Sequence, residues 1–141
     1  MSVSIGGDKR GSIILPRILG GMKPAIRRAL IKSGAQLEGQ IKKHLSGPSH
    51  TLFPGNANPF PGVYHGKLRS SITHRVVKGG TGLIVGPGRS VKYARIHEVG
   101  GDAGRGGRTQ IPARPYIKPA WQKLRKTVIR NIKMAILRFA K

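Results

Sequence analysis

The sequence predicts an α+β fold: two long amphipathic helices packed on a short antiparallel β-sheet, with an extended N-terminal arm and long Gly/Pro loops. Three observations predict it. Apolar residues recur every three to four positions over residues 22–45 and again over residues 120–139, the spacing of a helix that buries one face. Between them, β-branched residues on either side of Lys78-Gly79-Gly80-Thr81-Gly82 read as two strands and a turn. Finally, 21 glycines and 10 prolines among 141 residues leave much of the chain for loops. The length suits a single domain spanning residues 1–141, with a modest core.

Taken in order, residues 1–21 carry two apolar runs, Val3/Ile5 and Ile13-Ile14-Leu15, separated by Gly6-Gly7-Asp8-Lys9-Arg10-Gly11, and read as an extended arm with a short strand or turn. The first helix places Met22, Ile26, Leu30, Leu37, Ile41 and Leu45 on one stripe, widened by Ala25 and Ala29. Pro24 suits a first turn, Gly34 is a weak point, and Lys42, Lys43 and His44 complement the negative end of the dipole before Ser46-Gly47-Pro48 stops the helix. Residues 47–64 form a loop with four prolines, in which Phe53 and Phe60 are stiff apolar knobs for the core or for a neighbouring subunit. Residues 67–85 read as a β-hairpin closed by Gly86-Pro87-Gly88. The last helix presents Trp121, Leu124, Val128, Ile132, Ile136 and Phe139, with Ile129 and Ala135 beside them; Lys123, Arg125, Lys126, Arg130, Lys133 and Arg138 lie opposite.

Charge narrows the function classes. Twenty-seven Lys and Arg stand against four acids, Asp8, Glu38, Glu98 and Asp102, for a net charge of +23. So many bases cannot be neutralised within the chain, and an anionic partner is implied, either nucleic acid or the acidic surface of another protein. Taken alone, the charge suggests a nucleic-acid-binding module of ribosomal or chromatin-like type. No apolar run approaches the ~18 residues of a membrane span, no signal-peptide pattern opens the chain, and there is no cysteine. Neither catalytic residues, metal nor cofactor are expected. The acids are scattered, His97-Glu98 lacks the second histidine of a zinc helix, and His44, His50, His65 and His74 have no ligand spacing with it. No Gly-x-Ser-x-Gly elbow occurs, and Gly79-Gly80-Thr81-Gly82 lacks the Lys-Ser/Thr of a phosphate loop.

Residues 92–121 hold the most information. Tyr93, Ile96 and Val99 share one face of a short helix that Gly100-Gly101 ends. Pro112 and Pro115 hold Ala113-Arg114 extended, and Pro119 fits the first turn of the helix that follows. Between them, residues 100–111 form a Gly/Arg-rich surface loop whose Arg105 and Arg108 could track DNA phosphates. Glu98, one acid among many bases, is expected either in a local ion pair or gripping the Arg114 guanidinium through two hydrogen bonds, within one subunit or across two.

Three ordered motifs stand here: His65-Gly66-Lys67-Leu68-Arg69-Ser70-Ser71-Ile72; Tyr93 and Ala94 followed by Glu98 and Gly100; and Pro112-Ala113-Arg114-Pro115-Tyr116-Ile117 with Pro119-Ala120. The chain thereby resembles the tail-completion (neck, or head–tail joining) proteins of tailed bacteriophages, including minor-tail-protein-Z-like chains, with His65 where that family prefers Thr. The resemblance implies a non-enzymatic structural virion protein, assembled in the host cytoplasm into a ring, usually a hexamer, at the neck. Its implied partners are other copies of itself, the head connector or head-completion protein, and the tail terminator or tail tube protein. No membrane is involved. The resemblance makes Gly66, Leu68, Arg69, Ser71, Tyr93, Ala94, His97, Glu98, Gly100, Pro112, Ala113, Arg114, Pro115 and Tyr116 the motif and interface residues. Arg105, Arg108, Lys123, Lys126, Arg130 and Lys133 are the candidates for contact with packaged DNA or an acidic partner.

Overall fold

A computed structural model of the chain describes residues 2–3, 15–47, 59–63 and 65–139. Helix and antiparallel sheet are mixed, in keeping with an α+β fold. The elements are β1 (Ser2–Val3), α1 (Leu15–His44), α2 (Lys67–Ser71), β2 (Ile72–Val77), β3 (Gly82–Pro87), α3 (Ala94–Val99), β4 (Gly101–Ala103), β5 (Thr109–Ile111) and α4 (Ile117–Phe139). Two compact units result. The first takes Met1–Gln36, His74–Val85 and Leu124–Lys141; the second takes Leu37–Thr73 and Gly86–Lys123.

In the first unit, Met22, Ile26 and Leu30 of α1, Leu83 of β3 and Val128 of α4 are buried. A three-stranded sheet has the order β1-β3-β2, with β1 antiparallel to β3 so that Ser2 faces Ile84 and Val3 faces Leu83. The expected arm therefore contributes a strand, while residues 4–14 lie outside the described residues. Gly34 is a packing requirement, not merely a weak point. A Cβ there would stand 2.6 Å from His74 Cδ2 and 2.9 Å from Leu83 Cδ1, so any larger residue would have to push these side chains aside for helix and hairpin to approach this closely. One residue earlier, Ser33 is fully buried, and its Oγ accepts a 3.2 Å hydrogen bond from Asn131 Nδ2 of α4.

In the second unit the buried residues are Leu37 and Ile41 of α1, Leu45, Leu68 of α2, Ile72, Val91, Ala94 of α3, and Tyr116 and Ala120 around the start of α4. Of the proline-rich loop, residues 48–58 and 64, Phe53 included, lie outside the described residues. Its end returns to the helix terminus through Val63 N–H to the Gly47 carbonyl at 2.8 Å, and Phe60 stacks on His44 with ring centres 4.1 Å apart.

The structure corrects several expected boundaries. Helix α1 begins at Leu15, not Met22, because extending an existing helix adds a hydrogen bond per residue and outweighs the poor propensity of Gly20 and Gly21. Pro24 consequently lies inside the helix, where it offers no N–H to the carbonyl of Gly20. Residues 67–71 form a helical turn, not the start of a strand: Gly66, at φ 68°, opens it, and the good helix formers Lys67, Leu68 and Arg69 follow. The return strand runs on to Pro87. Residues 101–111 form an antiparallel ribbon where a loop was expected, pairing Gly101 with Ile111, Asp102 with Gln110 and Ala103 with Thr109.

Candidate functional site

The second and third motifs meet inside the second unit at a joint between α3 and the N-terminus of α4, while the first motif forms α2 and the start of β2. The first helical N–H groups of α4 have no partner within the helix, and the Pro112–Pro115 stretch offers no capping hydroxyl or carboxylate close in sequence. Glu98 supplies one from a distance. Its Oε2 accepts from the N–H groups of Tyr116 at 2.8 Å and Ile117 at 3.0 Å, and its Oε1 accepts from Lys118 N–H at 3.0 Å. A carboxylate at a helix N-terminus also sits favourably in the helix dipole. The expected pair between Glu98 and the Arg114 guanidinium does not form: the carboxylate is occupied by backbone donors, and Arg114 joins through its main chain, its N–H donating to the His97 carbonyl at 2.7 Å. Joining is within one chain, which explains why α4 starts at Ile117 ahead of the apolar stripe.

Tyr116 closes the joint from below. It is fully buried, and its hydroxyl donates to the Ala94 carbonyl at 3.1 Å. Burial raises its pKa above 10.0, helped by the negative charge of Glu98 and by Tyr93. The Tyr116 carbonyl meets His44 Nδ1 at 3.0 Å, while His44 Nε2 lies 2.9 Å from Gln40 Nε2. Both contacts are satisfied together when Nδ1 carries the proton and Nε2 accepts. Gly100 ends α3 at φ 73°, and a Cβ there would stand 2.9 Å from Ala113 N and 3.1 Å from the Ile111 carbonyl oxygen. The glycine of the Glu-x-Gly motif is therefore fixed both by its left-handed backbone and by the passing Pro-Ala-Arg-Pro segment. Burial and then the Arg114 charge lower the pKa of His97 from 6.5. Its ring meets Tyr93 edge-on at 5.7 Å.

The remaining expected site residues are distributed as follows. Leu68 is buried; Ser71 hydrogen-bonds the Leu68 carbonyl through Oγ at 2.7 Å and accepts Gly88 N–H at 2.9 Å, while Arg69 is exposed. The expected Tyr93/Ile96/Val99 face of α3 is not its buried face: Ala94 is buried, whereas Tyr93 and Val99 are 43% and 61% exposed. Ala94 and Glu98, four residues apart and so on one side of the helix, are the residues bonded to Tyr116 and Ile117, and that side faces the start of α4. Pro112 and Ala113 are exposed and Pro115 half-buried. Arg105 and Arg108 stand exposed at the turn of the β4–β5 ribbon, and Lys123, Lys126, Arg130 and Lys133 are exposed along α4. Gln40 and the bond from His44 to the Tyr116 carbonyl escaped sequence reasoning, since nothing local couples His44 to a carbonyl 72 residues away; Phe60, expected as an apolar knob, stacks on His44 of the same chain. Among the described residues, no group of three or more His, Asp or Glu is placed to hold a metal ion, and no helix is long and apolar enough to cross a membrane.

Residues 63–138, which contain the whole joint, match the phage virion morphogenesis family. An uncharacterized protein of Methanocaldococcus jannaschii is 33% identical over 76 residues, covering 54% of this chain and 53% of that protein. The chain thus spans about half the length of the curated relative it matches. No solved structure matches it.

Proposed function

The chain belongs to the phage virion morphogenesis family, and from that premise we propose that it is the subunit of a ring that completes the tail at the neck and joins it to the head connector. Six copies close a ring through a heterologous interface, between the head connector and the tail tube, after assembly in the host cytoplasm. The role is structural and non-enzymatic. One observation carries this reading: the Glu98 carboxylate, the Tyr116 hydroxyl and the main chain of His97 and Arg114 are all spent on holding α3 to α4. The motifs make a stiff scaffold, and such a scaffold suits a part that bears load between larger assemblies. What it presents outward is Tyr93 and Val99 on α3 and Arg105 and Arg108 on the ribbon, together with a charge of +23 that acidic neighbours or packaged DNA would neutralise.

The charge equally favours a second reading, a nucleic-acid-binding protein of ribosomal or chromatin-like type. Size-exclusion chromatography with light scattering on nuclease-treated protein, at low and then high salt, separates the two. Rings, or monomers that close into rings only with a connector or tail partner, support the neck role. Monomers that bind duplex nucleic acid with steeply salt-dependent affinity, and form no ring under either condition, establish the second reading.

A further inference from the structure

The first unit holds a groove of about 500 Å³ that takes no part in the joint. Ala25, Ala29 and Ala135 form part of its lining with Met134, and Arg28, Lys32 and Arg138 bring three cations to it. These three cations are exposed, and Met134 is 45% exposed. Among the described residues, no acid lines the groove. Small side chains on two neighbouring helices let a third helix approach to the ~8–10 Å of ordinary helix packing. Methionine adapts its unbranched side chain to whatever apolar surface arrives.

We propose that this groove seats an acidic amphipathic helix of a partner protein, its small apolar residues on the alanines and Met134 and its carboxylates on Arg28, Lys32 and Arg138. Charge complementarity selects this occupant. A second copy of this chain cannot supply it: of four acids, Glu38 is paired with Lys42 and Glu98 is bound to the start of α4, which leaves Asp8 and Asp102 against 27 bases. Nucleic acid would satisfy the three cations but would leave the alanines and Met134 without an apolar partner, whereas a helix with one apolar face covers both kinds of surface. The proposal concerns the first unit and does not depend on ring closure or on the neck role, so either can fail without the other.

The test is titration of the full chain, by fluorescence anisotropy at about 0.15 M salt, with three probes. One is a synthetic peptide of about 20 residues, ~30 Å long as a helix, with Ala and Leu on one face and Glu on the rest. The second is a scrambled peptide of identical composition, and the third is a short DNA duplex. The ordered peptide should bind at least about tenfold more tightly than the scrambled one, because only it presents a continuous apolar face. Hydrogen-exchange protection should fall on residues 25–32 and 131–138. Ala29→Trp or Ala135→Trp, which fill the groove, should weaken binding of the ordered peptide about tenfold with an unchanged melting temperature. Where a tryptophan variant does not fold, Lys32→Glu at the exposed rim should give the same loss. Equal binding of the two peptides, undiminished binding to the folded variants, or tighter binding of the duplex with protection of these same residues would each overturn the proposal.

Discussion

Glu98 sets the position of α4 by offering one carboxylate to three backbone N–H groups that nothing nearby in sequence could satisfy. Glu98→Ala should destabilise the chain by roughly 2–3 kcal/mol, at or above the top of the range for a lost helix cap, because three donors lose a charged acceptor at once. Glu98→Gln keeps one acceptor oxygen and should lose about half as much, as read from urea denaturation midpoints; a loss equal to that of Glu98→Ala would mean that the charge, and not the retained acceptor, carries the cap. His97 gives the joint a pH dependence of definite sign. Its pKa is lowered from 6.5, so between the lowered value and 6.5 the unfolded chain binds more protons than the folded one. Its contribution is complete above that window and is lost as pH falls through it. His97→Gln should flatten the slope of unfolding free energy against pH below 6.5. Tyr116 has the opposite sense at the alkaline end: its contribution holds below 10.0 and is lost as pH rises towards its raised folded value. Tyr93, Ala94 and Gly100 were legible as a motif in sequence, but the partner of Glu98 was not. A carboxylate among 27 bases looks destined for a guanidinium, and only the fold shows that backbone donors reach it first.

At the scale of elements, helix existence followed from periodicity, while boundaries and the inward face of short elements did not. The stripe Met22, Ile26, Leu30, Leu37, Ile41 and Leu45 is buried throughout, as its spacing required. On α4 the stripe is shallower. Val128 is buried and Leu124, Ile132 and Ile136 are half-buried, but Ile129, read as lying beside the core, is 58% exposed. The β4–β5 ribbon left no alternating signal because its strands have three residues each and bury none of them fully. Gly34 supplies a test of packing against propensity. In an open helix, Gly→Ala stabilises by about 1 kcal/mol. Here the new methyl would collide with His74 and Leu83, and overpacking costs about 1–3 kcal/mol. Gly34→Ala should therefore lower the thermal midpoint, and a rise would show that the hairpin side chains yield freely.

For the whole molecule, the dominant quantity is a charge of +23, which opposes any assembly of identical copies until an anionic partner relieves it. Lys123, Lys126, Arg130 and Lys133 recur at intervals of three and four on exposed α4 and so form one basic stripe. Changing all four to Glu should leave the circular dichroism spectrum intact and weaken head-to-tail attachment in a phage assembly assay; unchanged joining would exclude this stripe as a partner surface. By itself the sequence determined the mixed helical and sheet composition, the two long helices, the lack of cysteine and the net charge of +23. These follow from local periodicity, residue type and summed charge, each readable without knowing which distant residues meet. Tertiary structure alone decided where α4 begins, which face of α3 turns inward, that Gly34 lies against His74 and Leu83, and that a groove with three cations opens in the first unit. Each of those depends on contacts between residues far apart in the chain, such as Glu98 with Lys118, Gly34 with His74, and Ser33 with Asn131, whose partners no spacing rule encodes.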